Sequence, residues 1–177
     1  MIYQREIQLR TTGHRQMHDL TAEIAQVVSA SRIRAGVANI FNVGSTGATG
    51  TIEFEPGLQQ DLPAMLDKLF PPSRDYGHEQ AWHDGNGHSH LQATMLGPSI
   101  TVPIKEGNLV LGTWQQVFHL ECDVKPRQRT IVATVMPGTE GDLVALLGEL
   151  AADPTNTVAF VELVGGFVGH GRGVTAE

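Results

Sequence analysis

Cysteine is nearly absent from this chain, with Cys122 alone among 177 residues. One thiol excludes an internal disulfide, and its apolar setting, VFHLECDV, reads as a buried, inert group in a reducing compartment. Positive charge is scarce too. Twelve Lys and Arg face nineteen Asp and Glu, a formal charge of −7, which argues against the broad basic footprint of nucleic-acid binding. No apolar run approaches the roughly 20 residues that cross a bilayer, and MIYQREIQLR at the N-terminus lacks a signal core. The expectation is a cytoplasmic protein with neither membrane nor nucleic acid as partner. A nucleophile-elbow serine is missing, as is the Gly-Lys-Ser/Thr ending of a phosphate loop. The remaining composition, 41% hydrophobic and 18% charged, suits a globular domain with its own core.

Periodicity supplies the elements. Tyr3 to Leu9 alternates apolar and polar residues, as a half-buried strand does. His18 to Ser31 carries Leu20, Ile24, Val27 and Val28 at helical spacing, with Asp19 or Thr21 as its cap. Gly36–Val43 and Thr49–Phe54 read as strands joined by a Gly/Ser/Thr loop, and Leu58–Phe70 as a second amphipathic helix. The stretch from Pro71 to Gly87 has no sustained period and is expected to be a long irregular loop. A short helix, Ser89–Leu96, follows with Leu91 and Met95 facing inward. Strands are then expected at Ile100–Ile104, Leu109–Gly112, Gln116–Asp123 and Thr130–Met136. Adjacent strands with short turns imply an α+β fold, a largely antiparallel sheet or sandwich with two main helices. After Pro137 the character changes. A helix at Leu143–Leu150, a strand at Val158–Val164 and a glycine-rich tail make 138–177 a C-terminal extension to a domain spanning 1–137.

Chemistry concentrates in YGHEQAWHDGNGHSHLQA, where His78, His83, His88 and His90 fall close together with Asp84 and Asn86 among them. Neutral imidazole is a common ligand for zinc and related metals. His88 and His90 at a loop-to-helix junction, with His78 or His83 as a third ligand, would leave a coordination position for water or substrate. Gly85 and Gly87 are the expected hinges of such a centre. The alternative is a hydrogen-bonded structural loop. Asp84 is one catalytic candidate and Glu53 the other; Glu53 and Glu55 share a strand face, as general bases or as solvated charges. Ser45 and Thr46 in GSTGATGT offer hydroxyls and backbone N–H groups for a phosphate. Asn86, Ser99, Thr113 and Gln115 are further substrate-binding candidates. Arg127 and Arg129, one residue apart on a strand, would present two guanidinium groups on one face to an anion.

Read together, VGSTGATGTIEFEPGLQQDLP, HDGNGHSHLQATMLGPS, GTWQQVFHLECD and PRQR resemble the YjbQ family, often called secondary thiamine-phosphate synthase. The likeness runs from about Met1 to Pro137. It implies the YjbQ-like α+β fold, a homotrimer with sites near subunit boundaries, and a histidine cluster able to hold a divalent metal, zinc or magnesium. On that basis His78, His88 and His90 are the expected ligands. Many members have His-Thr-Ser-Ala where this chain has Gly44-Ser45-Thr46-Gly47 and lack a counterpart of His88, so His88 is expected to replace the missing histidine here. The implied activity joins a pyrimidine pyrophosphate to a thiazole phosphate and releases pyrophosphate. Two other readings stand beside this transferase: a metal-dependent hydrolase of a phosphate or other ester, and a non-catalytic trimeric module that binds a metal or metabolite.

Overall fold

The computed structural model describes residues 2–138 together with Gly148 and Ala152. The expected helix Leu143–Leu150, Gly148 apart, and the strand Val158–Val164 lie outside the described residues. Strand β1 (Tyr3–Arg10) is followed by the short β2 (Met17–Asp19) and helix α1 (Thr21–Ser31); β3 (Gly36–Val43) and β4 (Gly47–Ile52) come next. Three helices, α2 (Leu58–Leu69), α3 (Gly77–Trp82) and α4 (Gly87–Leu96), precede β5 (Ser99–Lys105), β6 (Asn108–Leu109), β7 (Gln116–Glu121) and β8 (Gln128–Pro137). The strands form two antiparallel sheets, one ordered β1-β8-β3-β5-β6 and the other β2-β7-β4.

Alternation along the strands decides which side chains meet between the layers. Ala38, Ile40, Val102, Ile104, Ile131, Ala133 and Val135 form the inner face of the large sheet; Ile24, Val27 and Val28 of α1 and Val117 of β7 join that core. The opposite face of the small sheet carries Ala48, Phe118, Leu120 and Cys122, packed with Leu66 of α2 and Ala93 of α4. Burial pushes the Cys122 thiol up to about 12, which keeps it protonated and inert. Along the inner face of β7, Val117 is followed at two-residue steps by His119 and Glu121, both fully buried. The interlayer core therefore turns polar towards one end.

Several local expectations are corrected. His18 is not helical: it pairs with His119 across β2 and β7, and the Asp19 carboxylate accepts the Thr21 N–H at 2.8 Å as α1 begins. Part of the Gly/Ser/Thr loop is strand, since β4 starts at Gly47 and stops at Ile52. Glu53 and Glu55 therefore do not share a strand face. Glu55 accepts the backbone N–H groups of Gly57 and Leu58 at the start of α2, whereas Glu53 is exposed. The supposed irregular loop contains α3. On α4 the inward face is His88, Ser89, Gln92 and Ala93; Leu91 and Met95 point outward, 42% and 64% exposed.

Candidate functional site

The polar end of the sandwich is built on opposed charges. Around the β7–β8 connection, Glu121 and Asp123 meet Arg129 and Arg127. Arg129 donates to Glu121 and, at 2.8 Å, to the Thr46 hydroxyl. Its side chain is 7% exposed and that of Glu121 is fully buried. Thr11 donates to the same carboxylate at 2.8 Å. Arg127 binds Asp123 through Nε at 2.8 Å and Nη2 at 2.6 Å, and Thr46 donates to Asp123 at 2.9 Å. Burial works against the Asp123 charge, but these bonds outweigh it and hold the carboxyl below its ordinary range. Thr46 thus ties the Gly44–Gly47 turn to both ion pairs. At Gly44, with φ of +150°, an added Cβ would come within 2.8 Å of Arg129 Nη1, so the turn closes directly on the guanidinium.

Above this base lies a polar cleft of about 320 Å³, lined by Ser45, Thr46, Asn86, His90, Arg127 and Arg129 among others. A smaller hollow of about 140 Å³ shares Gly44, Ser45 and His90 and continues to Gly47 and Pro98. Arg127 reaches the larger cleft with 41% of its side chain exposed. Arg129 is committed to Glu121, so it braces the cleft wall while Arg127 offers its remaining guanidinium edge. The two arginines do not present a matched pair of free charges.

The histidines come from α3 and α4. Glu79, buried on α3, accepts the Gly85 N–H and a bond from Arg74, which fixes the turn between the two helices. Gly85 is left-handed at φ +76°, as a hinge requires. Gly87 serves a different purpose, because a Cβ there would lie 2.6 Å from Tyr76 Cβ and 3.3 Å from His78 Cβ. Its missing side chain lets α4 close onto the segment bearing His78. The His78 and His90 rings stand 4.6 Å apart, and Asp84 Oδ1 lies 3.5 Å from His78 Nε2. Burial, then the neighbouring His78, lowers the His90 pKa, leaving a neutral imidazole near pH 7.

His88 is turned elsewhere. Helical residues two apart differ by roughly 200° around the axis, so His88 and His90 leave α4 on opposite sides. His88 is 1% exposed and packs against His14 at 5.4 Å and Tyr76 at 6.3 Å. His14 is held between the Cys122 carbonyl at 3.2 Å and Asp67 at 2.9 Å, and Gln92 also donates to Asp67 at 2.9 Å. Among the described residues no three His, Cys, Asp or Glu side chains already converge as metal ligands. His78 stands beside both His90 and Asp84, whereas His88 shares a separate cavity of about 350 Å³ with Asp84. Ser99, bonded to Asn39 at 2.9 Å, and Gln115, bonded to Thr51 at 3.0 Å, also lie outside the cleft, as does exposed Thr113. Sequence reading missed Glu121, Asp123, His14, Asp67 and Gln92. The signal for the first two was present in ECDVKPRQR, where acids and arginines each alternate across a tight connection.

Ten buried side-chain atoms have no hydrogen-bond partner among the described residues, and they fall in two places. One group surrounds the start of α4: Asp84 Oδ1, Asn86 Oδ1, Ser89 Oγ and both ring nitrogens of His88. Each such atom costs about 1–3 kcal/mol when left unsatisfied, so a concentration of them calls for ordered water or a bound group as partner. The α4 N-terminus adds to this, having neither a side-chain cap nor an acidic residue in its first turn.

The sequence pattern of one family, described as UPF0047 protein YjbQ-like, matches residues 5–138. A UPF0047 protein of Methanothermobacter thermautotrophicus is 40% identical over 134 residues, 76% of this chain and 92% of that protein. One from Archaeoglobus fulgidus is 34% identical, over 74% and 99% of the two chains. Among solved structures, a YbjQ-like protein of unknown function from Sulfolobus solfataricus is similar with a TM-score of 0.73 at 34% identity, covering 78% of this chain and 99% of that one. A YjbQ/UPF0047 protein of Clostridium acetobutylicum gives a TM-score of 0.68 at 32% identity, over 75% and 99%.

Proposed function

The chain belongs to the YjbQ-like UPF0047 family, and from that premise we propose that its polar cleft is the site of an enzyme acting on a small phosphorylated metabolite with a divalent cation. The observation that carries this reading is the position of His90, which lines the cleft and stands ring to ring with His78. His78, His90 and Asp84 would hold the ion. Their donor set fits it: two imidazoles and a carboxylate whose Oδ1 has no bond within the described chain, a combination that favours zinc over magnesium. When bound, such an ion would supply positive charge to stabilise a phosphate leaving group.

The chain's own groups support the rest. Arg127, fixed by Asp123, offers a positioned cation for a phosphoryl oxygen. Asn86 and the Gly44–Thr46 turn line the same cleft and add polar groups to it. Glu121 and Arg129 act beneath them as positioning residues. The transfer we assign is the one implied by the family resemblance, joining a pyrimidine pyrophosphate to a thiazole phosphate with release of pyrophosphate. We further propose a homotrimer formed through the outer face of the large sheet, where Phe41 and Val43 on its middle strand are 42% and 51% exposed.

The test combines metal analysis with two assays on the full chain, one following pyrophosphate release from the paired precursors and one following phosphate release from simple phosphoesters. The expected result is an ion in the cleft and transferase turnover, both lost in His78→Ala/His90→Ala. Hydrolysis without transfer would favour the ester hydrolase. Tight metabolite binding without turnover would favour the non-catalytic module. A protein free of metal and indifferent to chelators would end the cation part of the reading.

A further inference from the structure

The second group of orphaned atoms lies inside the sandwich: His18 Nε2, Asn42 Oδ1, Thr49 Oγ1 and both ring nitrogens of His119. Strand register brings them together. His119, on the middle strand of the small sheet, is directly opposite His18 of β2 on one side and Thr49 of β4 on the other. Asn42 comes from β3 of the facing sheet. At Gly47 an added Cβ would lie 2.8 Å from His119 Cε1 and 2.9 Å from the Asn42 amide, so Asn42 and His119 border the same small space. His119, Asn42 and Thr49 are at most 1% exposed. The backbone of Ala48 favours the protonated His119 ring slightly, yet neither ring nitrogen makes a hydrogen bond of acceptable geometry.

We propose that His18, His119, Thr49 and Asn42 form an internal site for a divalent d-block cation such as zinc, separate from the His78–His90 pair. The two imidazoles are ligands that zinc, nickel and copper favour, and the two neutral oxygens would fill the weaker positions or hold a water on the ion. With Zn–N bonds of about 2.0 Å, an ion bridging two imidazoles holds their centroids roughly 5 Å apart at a tetrahedral angle and little more than 6 Å in line, so rings at the wider spacing draw together on binding. The His18 and His119 centroids are 6.3 Å apart. Glu121 acts on both rings in the direction that attracts positive charge, as Glu23 does on His18. Arg129 opposes this at His119, although its guanidinium is engaged by Glu121. His18 is only partly buried and sits on an edge strand, which gives an ion a route from solvent.

The experiment uses the full chain stripped by a chelator and titrated with Co²⁺ or Zn²⁺, reading the cobalt absorption bands and competition against a chromophoric chelator. A His78→Ala/His90→Ala variant should still bind one equivalent. Adding His18→Ala should weaken that equivalent at least tenfold, and His119→Gln should do the same. His18 is on a sheet edge, so its replacement is the variant to rely on if the buried His119→Gln fails to fold. Absence of the equivalent in the double variant, or its indifference to His18→Ala, would overturn the inference and leave the rings to ordered water. A wild-type chain that binds only this one equivalent, unchanged by His78→Ala/His90→Ala, would instead count against the cleft.

Discussion

Single residues carry the pH response of this protein. Burial lowers the His119 pKa to about 4, below its unfolded value near 6.5. The native state therefore binds fewer protons than the unfolded chain between those limits. Stability from this group is complete above about pH 6.5 and is lost as pH falls towards 4, an effect of roughly 3 kcal/mol at most. His18, His88 and His90 are lowered as well, each first by burial, and push in the same direction. Urea unfolding of metal-free protein should give lower stability at pH 5 than at pH 7. His119→Gln should flatten that slope; an unchanged slope would show that other groups carry the response. The importance of His90 was readable from the clustered histidines. That of His119 was not, because an isolated His in a strand shows nothing of its neighbours until β2 and β4 are placed beside it.

At the scale of elements, the starting point of α4 decides the site. An extended junction would leave His88 and His90 on one side, whereas the helix that begins at Gly87 sends them to opposite sides. The expected three-histidine cluster came from reading that junction as loop. Helix α3 escaped notice because six residues, GHEQAW, are too few to display a 3.6-residue period. Gly87 links the two helices through its contact with Tyr76 and His78. Gly87→Ala should force them apart, lowering stability by about 1–3 kcal/mol and weakening cation binding at His78 and His90. Thermal unfolding and metal titration check both effects, and an unaltered affinity would show that the helix contact does not set the ring pair.

For the whole molecule, the two-sheet arrangement puts an apolar core at one end and an ionic network at the other. The outward face of the large sheet retains exposed apolar side chains on its middle strand, where a monomer gains nothing from them. If the proposed trimer forms there, light scattering should give three chains per particle, and Val43→Glu should shift the protein to monomer without unfolding it. A trimer insensitive to Val43→Glu would place the interface elsewhere.

Sequence alone determined the α+β class, most of the strands, the buried thiol and the chemical weight of the segment from His78 to His90. Each of these follows from local alternation, helical spacing or composition, which neighbouring residues along the chain carry in full. Tertiary structure decided which histidines meet. It joined His78 to His90 across two helices, turned His88 towards His14, and set His119 between His18 and Thr49 by strand register. It also assigned Arg129 to a buried carboxylate and left Arg127 facing the cleft. These pairings depend on contacts between residues far apart in the chain, and no local period encodes them.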